Sequence, residues 1–359
     1  MVRAIRGIVV AGASGARHDW SSQEVSDTEP SAGGGVSIAR LPVDKPQMAV
    51  DFLHARGGGV MDLIAHFWAR LPQTPPLSRG DLHLLVASPG GGDNGSTYIE
   101  QAVLPADPGA MTGAMLYVPK AHRADVLAAD AATAGAFARY IARVGAITPV
   151  PVAEAVAPSG VAMEEAAPKK QNGSDNKTAI DFLTGTAESI EAMIPHLLPM
   201  VHKRTPARQI VNHVMQLPAE AAAQSDPCVR PAKEGDNAVL NRWRNMYKQE
   251  RGILFDADVD AWVQSGRVFV YEADGNIVAL AKFDLELTRL VEIGGVFTFP
   301  EFRRRGYGGR LVNDLAVRIR GLGKMPTLQV DTQNDPAHHL YQHLGWATMG
   351  QLARVWLTG

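Results

Sequence analysis

Arg303, Arg304, Arg305, Gly306, Gly308 and Gly309 stand within VFTFPEFRRRGYGGRL, residues 296 to 311, and their types suit one task, holding a phosphate. The three glycines carry no Cβ, so phosphate oxygens can come close to the backbone N–H groups of a helix's first turn. The positive end of that helix and the arginines would add to the attraction. Apolar residues Leu290, Ile293, Val296 and Phe297 precede the turn as a strand. Pro300 stops the strand's ladder, and Leu311, Leu315 and Ile319 continue at helical spacing. Strand, basic glycine-rich turn and helix together read as a pyrophosphate cradle. The turn alone is a weak signal, because glycine-rich turns commonly serve only as tight turns.

A second element raises its specificity. Asn334, Ala337, Leu340, Tyr341, Leu344, Gly345 and Trp346 spell N-x-x-A-x-x-L-Y-x-x-x-G-aromatic. Taken with Arg303-x-x-Gly306-x-Gly308, preceded by Val296 and Pro300, this order resembles the GNAT superfamily of N-acetyltransferases. The resemblance covers the part of the chain from about Cys228 onward. It implies a mixed, mostly antiparallel sheet flanked by helices, acetyl-CoA as co-substrate, no metal, and a primary amine as acceptor. The amine would attack the thioester directly in a ternary complex. Contacts to the cofactor would come from Val296, Phe297 and Thr298 on the strand and from Arg303, Arg304, Arg305, Gly306, Tyr307, Gly308 and Gly309 at the turn. Asn334 would reach the pantetheine arm. A non-catalytic acyl-CoA sensor is the competing reading of the same motifs.

Chemistry then needs a proton acceptor for the amine and a proton donor for the thiolate. At the family's L-Y position, Tyr341 would face the sulfur and donate; the alternative is an aromatic packed under the sheet. Glu292 lies eleven residues before Arg303, where histone-acetyltransferase-like members carry a base. Strand alternation puts it on the face of Leu290 and Gly294, and burial there would raise its pKa. A solvated strand-edge carboxylate, with water relaying the proton, is the other reading. For Asn334 the alternative to a cofactor contact is a helix cap before Pro336.

Other residues carry less. His339 and His343 have the i,i+4 spacing of two metal ligands, but no Glu follows His339, so a solvated helix face is expected. An isolated arginine triplet on a chain of net charge −2 suits cofactor phosphates better than nucleic acid. Cys228 is the single cysteine, which excludes an internal disulfide and a thiolate metal cluster. No apolar run reaches the roughly 20 residues that cross a bilayer. A cytoplasmic protein without a membrane partner is the expectation; the oligomeric state is not legible.

With 359 residues, 46% of them hydrophobic and 20% charged, the chain has room for about two globular domains. Residues 1–45 read as a flexible lead-in, 46–223 as an α/β accessory domain and 224–359 as the acetyltransferase domain. The stretch 153–177, rich in Ala, Pro, Lys, Asn and Ser, reads as a linker. The first half is either a degenerate GNAT-like copy or an unrelated α/β domain; it has no R-x-x-G-x-G. Helices are expected over 60–71, 121–144, 179–193 and 207–215, and an antiparallel strand pair within 347–357. Because every motif residue lies beyond Gln224, a fragment beginning there is expected to keep its cofactor.

Overall fold

A computed structural model of the chain describes residues 36–42, 45–56, 64, 82–89, 97–98, 110–119, 122–147, 180–201, 205–251, 259–287 and 289–358. The lead-in read over 1–45 is corrected at its end, where Val36–Leu41 form a largely buried strand; its part before residue 36, the helix expected over 60–71 apart from Ile64, and the linker over 153–177 lie outside the described residues.

The first half opens with β1 (Val36–Leu41), α1 (Gln47–Arg56), β2 (His83–Pro89), β3 (Thr97–Tyr98) and β4 (Gly113–Val118). It continues with β5 (Arg123–Ala128), α2 (Ala131–Ile147), β6 (Phe182–Thr186), α3 (Ala187–Leu197) and β7 (Thr205–Gln216). The second half begins with β8 (Val229–Pro231), α4 (Asn237–Arg251), α5 (Val259–Gln264), β9 (Val268–Ala273) and β10 (Asn276–Glu286). Then come β11 (Leu290–Thr298), α6 (Tyr307–Gly321), β12 (Met325–Asp331), α7 (Asp335–His343) and β13 (Ala347–Thr358). Asp274 and Gly275 both have positive φ in the tight turn between β9 and β10, as the Asp-Gly pair requires.

All strands join one mixed sheet in the order β3-β1-β2-β4-β5-β6-β13-β7-β12-β11-β10-β9-β8. Most pairs are antiparallel. Three pairs are parallel: the short β1–β3 pair, and β5 with β6 across α2 and β11 with β12 across α6, the last two each returning through a crossover helix. The two halves thus repeat a pattern: antiparallel strands, a crossover helix, a parallel strand, a second helix and a long last strand. The last strands are exchanged. β7 lies between β12 and β13, while β13 lies between β6 and β7. Helices cover both faces. α2, α3 and α6 pack on one around Phe137, Ile190 and Leu315; α1, α4 and α5 pack on the other around Phe52, Trp243 and Val259.

Three further expectations need correction. Residues 207–215 form a strand, because Ile210, Val211 and Val214 are β-branched and the segment is paired on both sides. Residues 347–357 form one strand whose partners are β6 and β7, with no hairpin of their own. The helices expected to start at 121 and 179 start later, at Ala131 and Ala187, because strands β5 and β6 precede them. Asp130 Oδ1 accepts from Thr133 N at 2.7 Å, and the Thr186 side chain accepts from Ser189 N, so each helix begins at a capping residue.

The exchange also changes the expectation for a fragment beginning at Gln224. Such a fragment lacks β7, leaving β12 without its outer neighbour and β13 without its longest ladder. Unpaired edges of that length favour aggregation over folding. The fragment is expected to show no cooperative thermal unfolding by circular dichroism. A sharp transition near that of the intact chain would mean that β7 is dispensable.

Candidate active site

The ladder between β11 and β12 runs from Leu290↔Met325 to Ile293↔Leu328 and stops there, although β11 continues to Thr298 and β12 to Asp331. Beyond that point β12 pairs only on its other side, with β7. The strands therefore part at their C-terminal ends, and the backbone of Gly294–Thr298 is free toward β12. Gly295 has φ of +61°, and a Cβ there would sit 2.7 Å from the Trp243 ring of α4. A Cβ on Gly294 would meet Asp284 at 2.5 Å. Glycine at these positions lets α4 and β10 press against β11 where it leaves its neighbour.

The cradle stands at the end of β11. Gly306 is the N-cap of α6 with φ of +79°, a left-handed conformation that costs other residues roughly 1–2 kcal/mol, and it supplies no side-chain cap. The first N–H groups of α6, on Tyr307, Gly308 and Gly309, thus begin a helix of fifteen residues without a competing side-chain acceptor. Arg303 is spent on the turn itself. Its Nε donates to Thr298 O at 2.9 Å, its Nη2 donates to both oxygens of Glu250 at 2.7 and 2.8 Å, and its guanidinium lies over Phe297. Arg304, with φ of +60°, and Arg305 are exposed. Val296 and Tyr307 are half-buried, Tyr307 beside Tyr271, and Phe297 is buried against Phe299.

Among its described residues the first half shows no such mouth. Its turn between β5 and α2 is short, and the Asp130 carboxylate already caps α2 where an anion would sit. Ser189 of α3 bonds both N and O of Ala128 at the end of β5. A Cβ at Gly185 would be 2.1 Å from Val126 O, so β5 and β6 stay in close register.

Glu292 is buried on β11, one residue before the strands part. Its pKa is raised from 4.5 to about 7, chiefly by burial and secondarily by Asp284, against the opposing influence of Gln329, Arg354 and Lys282. Asp284 is itself held by Lys282 Nζ at 2.6 Å. Gln329 Nε2 donates to Glu292 Oε2 at 3.0 Å. Gln329, Arg354, Asp284 and Lys282 were not singled out from the sequence, because polar residues in strands otherwise read as solvent-facing, and Asn212 was not because its segment read as a helix.

Tyr341 is buried in the core that α7 shares with α6, its ring 6.3 Å from Trp346. Asn334 occupies the N-cap position of α7, but its side chain makes no capping bond. His338 stacks on His213 of β7 at 4.1 Å. Among the described residues no group of three His, Cys, Asp or Glu is placed to hold a metal, and no helix is long and apolar enough to cross a membrane.

Residues 237–346 match the family model described as Acetyltransferase (GNAT) family. A solved Drosophila protein is similar in fold at a TM-score of 0.52, with 10% identity over 89% of this chain and 98% of that one. A GCN5-related N-acetyltransferase from Sphaerobacter thermophilus is 12% identical, covering 90% of this chain and 95% of its own, with a TM-score of 0.49. A tandem GNAT protein from the clavulanic acid biosynthesis pathway is 12% identical over 90% of this chain and 98% of its own, at a TM-score of 0.43. No curated protein matches.

Proposed function

We propose that this chain, whose residues 237–346 carry a GNAT acetyltransferase domain, transfers an acetyl group from acetyl-CoA to a primary amine. The reading rests above all on one juxtaposition. The open end of the β11–β12 pair adjoins the uncapped N-terminus of α6, and a buried carboxyl raised to about 7 lies at the base of the opening. The N–H groups of Tyr307, Gly308 and Gly309 bind the pyrophosphate, with Arg304 and Arg305 adding charge at the rim. Arg303 keeps the turn in shape through Glu250. The freed backbone of Val296, Phe297 and Thr298, with Asn334 opposite, lines the pantetheine arm.

Glu292 takes the proton of the acceptor ammonium, directly or through one water. The freed lone pair attacks the thioester carbon and the C–N bond forms; as the tetrahedral adduct collapses the C–S bond breaks, Tyr341 protonates the departing thiolate, and the adduct nitrogen gives up its second proton, through water, to restore the Tyr341 hydroxyl. Detecting CoA thiol release over a panel of primary amines tests the reading. Acetyl-CoA binding without turnover of any amine would favour a sensor instead.

Gly308→Val tests the cradle. Its Cβ would already press on Thr298 Oγ1 at 3.0 Å, so the branched methyls must turn toward the phosphate path. Calorimetry is expected to show acetyl-CoA affinity reduced at least tenfold, about 1.4 kcal/mol. Wild-type affinity in a folded variant would remove this turn from the site.

A further inference from the structure

The side chain that touches Glu292 is itself held from two other strands. Gln329 Oε1 accepts from Arg354 Nη2 at 3.1 Å and from Asn212 Nδ2 at 3.2 Å, while its Nε2 donates to Glu292 Oε2 at 3.0 Å. A guanidinium has only donors, so the Gln329 atom facing Arg354 has to be the amide oxygen, and the amide nitrogen is thereby turned to Glu292. Strand alternation puts all four side chains on the sheet face of Leu290, Val214 and Leu352. Asn212 belongs to β7, the strand that the first half places inside the second half's sheet.

We propose that Gln329, locked by Arg354 and Asn212, is the positioning residue for the base, so that the first half helps to orient the carboxyl of the second half's site. This rests on Glu292 being that base. The lock directs a donor at Oε2, while Oε1 accepts from no described residue and is the oxygen this reading gives to the ammonium. It also balances the carboxyl's charge state. Burial and Asp284 of β10 favour the neutral form; the Gln329 donor, Arg354 of β13 and Lys282 of β10 favour the ionised one. Among the described residues the charged groups acting on Glu292 are Asp284, Arg354 and Lys282. Without the donor the carboxyl would hold its proton to higher pH and be a base less often near neutrality.

Gln329→Met keeps length and removes the amide. Two readouts are needed, the acidic limb of kcat/KM against pH and the 13C titration of the Glu292 carboxyl in the full chain without acceptor. Both midpoints are expected to move up by roughly half to one pH unit. Asn212→Leu with Arg354→Met leaves Gln329 in place but frees its amide to turn, and is expected to move both in the same direction. Should Gln329→Met fail to fold, Asn212→Leu alone carries the test, with a smaller upward shift expected. Unmoved midpoints in the folded variants, while Glu292→Gln still abolishes the acidic limb, overturn the lock and spare the base. An acidic limb that survives Glu292→Gln overturns the base and the lock's catalytic role together.

Discussion

Glu292→Gln is expected to lower kcat/KM by roughly 10²–10⁴ and to abolish the acidic limb of its pH profile, with acetyl-CoA affinity almost unchanged. The wild-type limb should rise through a pH of about 7, where the buried carboxyl ionises. Glutamine has the same volume and can still bond Gln329, so a loss of rate would not be a packing defect. The same variant carries an independent thermodynamic signature. A carboxyl raised from 4.5 to about 7 on folding favours the native state fully below its unfolded pKa, and that contribution is lost as pH rises through about 7. Wild type should therefore weaken between these pH values relative to Glu292→Gln, by on the order of 3 kcal/mol at most. Denaturant titrations at pH 4.5 and 8 measure this without any substrate. A stability difference that does not change with pH would mean that Glu292 is not the buried acid described.

Tyr341→Phe is expected to leave acetyl-CoA affinity intact and to lower kcat by a factor of roughly 10² where protonation of the thiolate limits the rate. Phenylalanine keeps the ring against Trp346 and within the α6–α7 core, so the deletion is confined to the hydroxyl. The deficit should shrink when the leaving thiolate is made less basic, for instance with an acyl donor whose thiol has a lower pKa. Equal kcat in the two proteins would leave Tyr341 as a core aromatic and nothing more.

The two motifs could be read without a fold because their chemistry is local. Gly306 needs φ of +79°, Gly308 and Gly309 need to be small at the start of α6, and Pro300 ends β11. These are constraints between near neighbours in the chain, and they leave a mark in residue type. Helical spacing in α6 and the Asp-Gly turn after β9 are short-range signals of the same kind. Glu292 could be placed on a face by alternation alone.

β7 was misread because its character is conferred by its neighbours. ARQIVNHVMQ contains enough long unbranched side chains to suit a helix, and only pairing with β12 and β13 across more than a hundred residues makes it a strand. The single strand β13 was misread as a hairpin because the partner it needed lies in the other half. The same distance hid the lock on Glu292. Asn212, Glu292, Gln329 and Arg354 come from four strands spread over both halves, with no spacing to connect them. Residue type along the chain marked the turn proposed to hold phosphate, because a turn and a helix terminus are built from contiguous residues. The burial of Glu292 and the side chains that bond to it were settled only when the exchanged strands brought distant polar groups to one face of the sheet.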